Sequence, residues 1–161
     1  MFRLDELMTA RDMTEAQLAG LLDHSQQYIN RLRRTEEPNT PLSLMQAMAE
    51  VFQVPIWALF ADAPPYTPNG HVPSVPPRFR IRELVARRQF RSVDKLAMLA
   101  ELSPTYVRRI AGKNPPNVRL QALRAMADAL QVPVWALFEH APTYVDEKKA
   151  TQQLPLPMIE A

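Results

Sequence analysis

The side chains best suited to chemistry in this chain are amides and guanidiniums gathered in two short segments. In the first, wound as a helix, Gln26, Gln27 and Asn30 lie opposite the apolar Ile29 and Leu32, with Arg31, Arg33 and Arg34 alongside. Gln and Asn carry a donor beside an acceptor and can pair bidentately with the major-groove edge of adenine, while Arg can do so with guanine or neutralise a phosphate. The second segment sets Thr105, Arg108 and Arg109 outside Val107 and Ile110, with Lys113 just beyond. Taken alone, either segment also has the composition of a solvated helix face, and a single arginine is by default ordinary surface charge.

Other chemistries find little support. There is no cysteine, which excludes disulfides, thiolate metal sites and Cys-based catalysis. His24, His71 and His140 share no ligand spacing, so neither a metal nor another cofactor is expected. The chain has no Gly-rich phosphate loop, no His paired with an acid and no activated-nucleophile pattern, and it is not expected to be an enzyme. Trp57 and Trp135 sit inside apolar helix ends and are expected in the core, with the eight methionines as core or interface filler. No apolar run approaches the roughly 18 residues of a membrane span, and the acidic, amphipathic residues 1–6 are unlike a signal peptide, so a cytoplasmic location is expected.

What must position these segments is a duplicated unit. Gln53-Val54-Pro55-Ile56-Trp57-Ala58-Leu59-Phe60 returns 78 residues later as Gln131-Val132-Pro133-Val134-Trp135-Ala136-Leu137-Phe138. Upstream, Phe2-Arg3-Leu4-Asp5-Glu6-Leu7 matches Phe79-Arg80-Ile81-Arg82-Glu83-Leu84 at an offset of 77, so one residue has been inserted near Phe90. From Thr14 to Tyr66, 22 of 53 positions are identical to their counterparts, far beyond chance for such a span. The division that follows is 1–66, a linker at 67–77 with four prolines, a second unit at 78–144, and a polar, Pro-broken tail at 145–161. Residues 1–66 hold 5 Lys/Arg against 9 Asp/Glu, a balance of −4, and residues 67–161 hold 14 against 8, a balance of +6. Such a split points one half towards a polyanionic partner.

Within each unit the apolar period is helical. In the first, Phe2, Leu4, Leu7 and Met8 set one face of helix 1. Thr14 caps helix 2, with Gln17 completing a capping box and Leu18, Ala19, Leu21 and Leu22 as the core face. Ser25 caps helix 3, Thr40-Pro41 starts helix 4 with Leu44, Ala47, Met48 and Val51 inwards, and Pro55 opens a short helix over residues 56–60. In the second unit Ser92 caps helix 2 with Leu96, Ala97 and Leu99 inside, and Ser103-Pro104 starts helix 3. Asn117 caps helix 4, with Leu120, Leu123 and Ala127 inside.

The spacing Thr14, Leu18-Ala19, Leu22, Ser25, Ile29, Leu32, repeated as Ser92, Leu96-Ala97, Ser103, Val107, Ile110, resembles the lambda-repressor/Cro-like (Xre-type) helix-turn-helix family. The Val-Pro-x-Trp-x-Leu-Phe ending is similar to that family's closing helix, and the resemblance covers both repeats. It implies an all-α fold of two tandem five-helix helix-turn-helix domains joined by a Pro-rich linker, each with its third helix in the major groove. Base reading then falls to Gln26, Gln27 and Asn30 in the first domain and to Thr105 and Arg108 in the second, Arg108 being the best guanine candidate. Phosphate contacts fall to Arg31, Arg33, Arg34, Arg91, Lys95, Arg109, Lys113 and Arg119, with Tyr28 and Tyr106 either touching phosphate or packing. Two departures stand out: Glu15 and Val93 replace the Gln usual after the helix-2 cap, and Asp23 and Glu101 replace the usual turn Gly.

The resemblance implies sequence-specific binding of double-stranded DNA for transcriptional control, in the direction of repression. The two domains would act as an intrachain pseudo-dimer on half-sites about 34 Å apart, a distance the linker nearly spans, or the whole chain would form a homodimer. Because the third helices differ, the operator is expected to be asymmetric. The rival is an adaptor or antitoxin-like regulator whose acidic first domain has become a module for dimerisation or for holding a protein partner.

Overall fold

In the computed structural model the residues described are 2–36, 38–66 and 77–144. The expected linker, except Pro77, and the expected tail lie outside them. The described residues are helical throughout, with isolated bridges in place of strands. The first half runs through α1 (Leu4–Ala10), α2 (Glu15–Leu22), α3 (Gln26–Arg34) and α4 (Leu42–Phe52), then a 3-10 turn at Ile56–Leu59. The second repeats this order with α5 (Ile81–Arg87), α6 (Val93–Ala100), α7 (Pro104–Ile110) and α8 (Leu120–Leu130), then a 3-10 turn at Val134–Leu137. The closing element expected as a helix reaching Phe60 is thus a single 3-10 turn, and Phe60 is already extended.

Local punctuation accounts for four of the eight α-helix starts among the described residues. Thr14 Oγ1 accepts from Gln17 N at 3.2 Å while Thr14 N donates to Gln17 Oε1 at 2.9 Å, so both arms of the expected capping box are made. Ser25, Ser92 and Ser103 accept from Tyr28 N, Asp94 N and Tyr106 N respectively, and Pro104 occupies the first turn of α7. Helix ends follow another rule. Among the described residues the six non-glycine residues at positive φ fall into three equivalent pairs, Asp12 with Gln89, Asp23 with Glu101, and Gln53 with Gln131. Asp23, Gln53, Glu101 and Gln131 are the left-handed caps that stop α2, α4, α6 and α8, a place where glycine is usual.

The same ties close each half. Arg3 N donates to Leu59 O at 2.7 Å and its guanidinium to the carbonyls of Phe60 (2.9 Å) and Ala63 (2.6 Å). Arg80 N donates to Leu137 O at 2.8 Å and its Nε to Phe138 O at 3.1 Å. The core under these ties is formed by Leu4, Leu18, Ile29, Met45, Met48 and Leu59 in one half and by Ile81, Leu96, Ile110, Leu123, Met126 and Leu137 in the other. Trp57 and Trp135 are buried as expected, each edge-on to a tyrosine, Tyr66 and Tyr144. Leu21 and Leu99, expected inside, are instead 61% and 48% exposed. The buried stripe of α2 runs through Leu18, Ala19 and Leu22, and at 3.6 residues per turn Leu21 falls about 60° off it. Leu7, Ala47 and Val51 are only partly buried.

The two halves meet along a reciprocal seam. Pro41 and Arg119 form an antiparallel bridge in which Leu42 N donates to Val118 O (2.8 Å) and Leu120 N to Thr40 O (2.9 Å). Asn117 Oδ1 accepts from Ser43 N (2.8 Å), and Asn39 Oδ1 accepts from Gln121 N (3.1 Å). Each asparagine therefore caps the fourth helix of the opposite half. This corrects two expectations: α4 begins at Leu42 with Pro41 as its N-cap, and Asn117 serves α4 rather than the helix that follows it. Phe60 and Phe138 pack across the same seam with ring centroids 5.9 Å apart. Exchanging equivalent residues maps each of these backbone and capping contacts onto its partner, the pattern of a two-fold interface.

Candidate nucleic-acid interface

Each half presents the same pair of packed helices, α2 on α3 and α6 on α7. The buried edges are Leu18, Ala19 and Leu22 against Ile29 and Leu32, and Leu96 and Ala97 against Val107 and Ile110. The small Ala19 and Ala97 are both buried on the packed side of their helices. With the apolar edge inward, the polar edge of the second helix in each pair is turned to solvent.

On α3, Gln26, Gln27, Arg31 and Arg34 are exposed. Tyr28 is half-buried and stacked on His24, with centroids 4.7 Å apart. Asn30 and Arg33 are engaged elsewhere. Asn30 Nδ2 donates to Glu15 Oε1 at 3.0 Å, and Arg33 bridges Asp5 Oδ1 (2.5 Å) and Glu15 Oε1. The Asn30 amide and, after it, Arg33 hold the Glu15 carboxyl below its ordinary range, against the opposing effect of burial. Hydrogen bonding to Asp5, then to Glu15, raises the Arg33 guanidinium in turn. Glu15 thus fastens the first turn of α2 to the middle of α3.

On α7, Thr105, Arg108 and Arg109 are exposed, as is Lys113 beyond its end. Arg91 and Lys95 are exposed at the start of α6, and Tyr106 is half-buried. Arg108 Nη2 donates to both oxygens of Asp94, at 2.6 and 2.7 Å. Arg119 stands apart from this group, in the seam, where Nη1 donates to Asn39 O at 3.3 Å.

The structure therefore gathers Gln26, Gln27, Arg31 and Arg34 on one helix face and Thr105, Arg108 and Arg109 on the equivalent face of the other half. Reasoning from sequence took Glu15 only as a departure from the family and Asn117 only as a local cap, and it missed Asp5, Asp94 and Asn39. Only the asparagines left a usable signal, since Pro-Asn precedes the fourth helix in both repeats.

Among the described residues no group of three or more His, Cys, Asp or Glu is placed to hold a metal ion, and no helix is long and apolar enough to cross a membrane. Comparisons with protein-family models, with curated proteins and with solved structures found no match.

Proposed function

We propose that this chain is a sequence-specific, double-stranded-DNA-binding transcriptional regulator, a repressor built from two lambda-repressor/Cro-like helix-turn-helix domains. α3 and α7 are the reading helices, and the non-covalent seam pairs the two domains as an intrachain pseudo-dimer. The observation that carries this reading is the recurrence, at equivalent places, of a serine-capped helix packed on its predecessor by an apolar edge, with amides and guanidiniums outward. A helix in that setting, with its polar edge exposed, suits the major groove. Gln26, Gln27, Thr105 and Arg108 supply base-edge chemistry, and Arg31, Arg34, Arg109 and Lys113 supply phosphate charge.

The test is selection of the purified chain against a random duplex library at roughly physiological salt, where purely electrostatic binding is weak. The expected result is an asymmetric two-part motif, one part altered by Gln27→Ala and the other by Arg108→Ala. Absence of enrichment would overturn the reading.

One observation favours the adaptor alternative for the first half. Its balance of −4 is accompanied by internal pairing of Arg33 with Asp5 and Glu15, which withdraws a cation from the outer face. If Gln27→Ala leaves the selected motif unchanged while Arg108→Ala erases it, the first domain is a partner-binding module and only the second reads DNA.

A further inference from the structure

The Asp94–Arg108 pair contributes little to the fold. Both side chains are about half exposed, 47% and 52%, and exposed ion pairs add little to stability because water and salt screen them. The geometry is nonetheless restrictive. A single nitrogen, Nη2, is held by both carboxylate oxygens, which fixes the guanidinium of a long, flexible side chain against the first turn of α6. Nε and Nη1 make no hydrogen bond among the described residues, so two donor groups remain for an outside acceptor. Arg109 and Lys113, its cationic neighbours, form no ion pair among the described residues.

The same arrangement occurs in the other half with different residues. Position 108 corresponds to position 30, and Asn30 is also held by a carboxylate from the first turn of the preceding helix, Glu15. The two carboxylates are not equivalent in the repeat: Glu15 aligns with Val93, and Asp94 with Ala16. Both members of the contact therefore differ between the halves, while the contact itself is present in both. A chance surface ion pair gives no reason for that coincidence. A need to hold this one position of the outward helix does.

We propose, on the reading of the chain as a tandem DNA reader, that Asp94 is a specificity-determining positioning residue: it holds Arg108 for guanine and denies it other acceptors. A free arginine on a reading helix can turn to a phosphate, to guanine or to thymine O4, and so discriminates poorly. Held through Nη2, the guanidinium keeps one orientation, so the direction of each donor left to it is fixed. The cost is affinity, because a carboxylate close to the duplex repels phosphates whatever the sequence. Asp94 thus trades general binding for choice at one base pair.

This trade gives a signature that a structural role would not. The experiment uses the full chain, the duplex selected by the wild type, its three single-pair variants at the position that Arg108→Ala makes indifferent, and a random duplex. Asp94→Asn and Asp94→Ala are expected to bind the random duplex more tightly than the wild type. Their preference for guanine at that pair is expected to fall roughly tenfold, with helical content and melting temperature unchanged. Retention of the wild-type preference overturns the proposal, as does equal weakening on every duplex, which is the mark of a structural residue. Arg108→Ala with every base preference intact overturns it too. A wild type that enriches no sequence removes the DNA reading itself, a failure distinct from the others because it precedes any variant.

Discussion

Thr40 is buried to 1% exposure, and its hydroxyl has no partner among the described residues, although its carbonyl accepts from Leu120 across the seam. In the other half the equivalent residue is Val118, equally buried and of nearly the same shape. A buried polar group without a hydrogen bond is destabilising by roughly 1–3 kcal/mol, so Thr40→Val is expected to stabilise the chain by about 1 kcal/mol. In a thermal melt that is a rise of about 2–4 °C for a chain of this size, and a fall would mean that the hydroxyl has a partner in solution. Glu15 is the opposite case, a polar group whose partners matter. Its carboxyl lies below its ordinary 4.5 because Asn30 and then Arg33 stabilise the charged form. For a lowered carboxyl the stabilisation is present above the unfolded value and lost as pH falls through the lowered folded value. Glu15→Gln should therefore melt below the wild type at neutral pH, with the gap closing as pH falls below 4.5. A gap of constant size from neutral to acid pH would show that the contact acts by packing and not by charge.

At the scale of elements, the swapped caps carry the clearest expectation. Asn117→Ala removes the side-chain acceptor at the start of α4, a helix in the other half, and Asn39→Ala does the same for α8. Loss of such a cap is destabilising by about 1 kcal/mol, measurable by urea unfolding. Because both caps belong to one seam, the double variant should depart from the sum of the singles, whereas strict additivity would mean that the halves open independently. These asparagines also mark the limit of what could be read from sequence. Thr14, Ser25, Ser92 and Ser103 were legible because a cap acts on a donor two or three residues along the chain. Asn117 looked like one more local cap, but its donor lies 74 residues away, and no spacing rule finds it. The outward faces of α3 and α7 were legible because a helical period sorts inside from outside. Their carboxylate clamps, 14 to 28 residues away in the chain, depend on how α1, α2 and α6 are docked and were not. Leu21 and Leu99 were misplaced because an apolar residue beside the stripe looks much like one within it.

At the scale of the molecule, the question is whether α3 and α7, the helices proposed to read DNA, are tethered or held. A linker of the length expected for residues 67–77 would let two independent domains settle on half-sites at varied separations. The seam sets a different condition, since two backbone hydrogen bonds, two side-chain caps and the Phe60–Phe138 contact fix one half against the other. A held pair reads DNA at one separation and one rotational phase, because half-sites on one face of the duplex repeat every helical turn of about 34 Å. On the proposed function, inserting about five base pairs between the two parts of the selected site turns one half-site to the opposite face and should reduce affinity to that of a single half-site. Inserting a whole turn restores the phase but not the distance, and should fail as well. The double variant Asn39→Ala/Asn117→Ala loosens the seam and is expected to regain part of the binding on the whole-turn spacer while losing some on the original site. Gel-shift titration of the wild type and this variant on the three duplexes separates the two cases. Equal affinity of the wild type for all three spacings would mean that the seam opens on DNA and that the tether alone joins the readers.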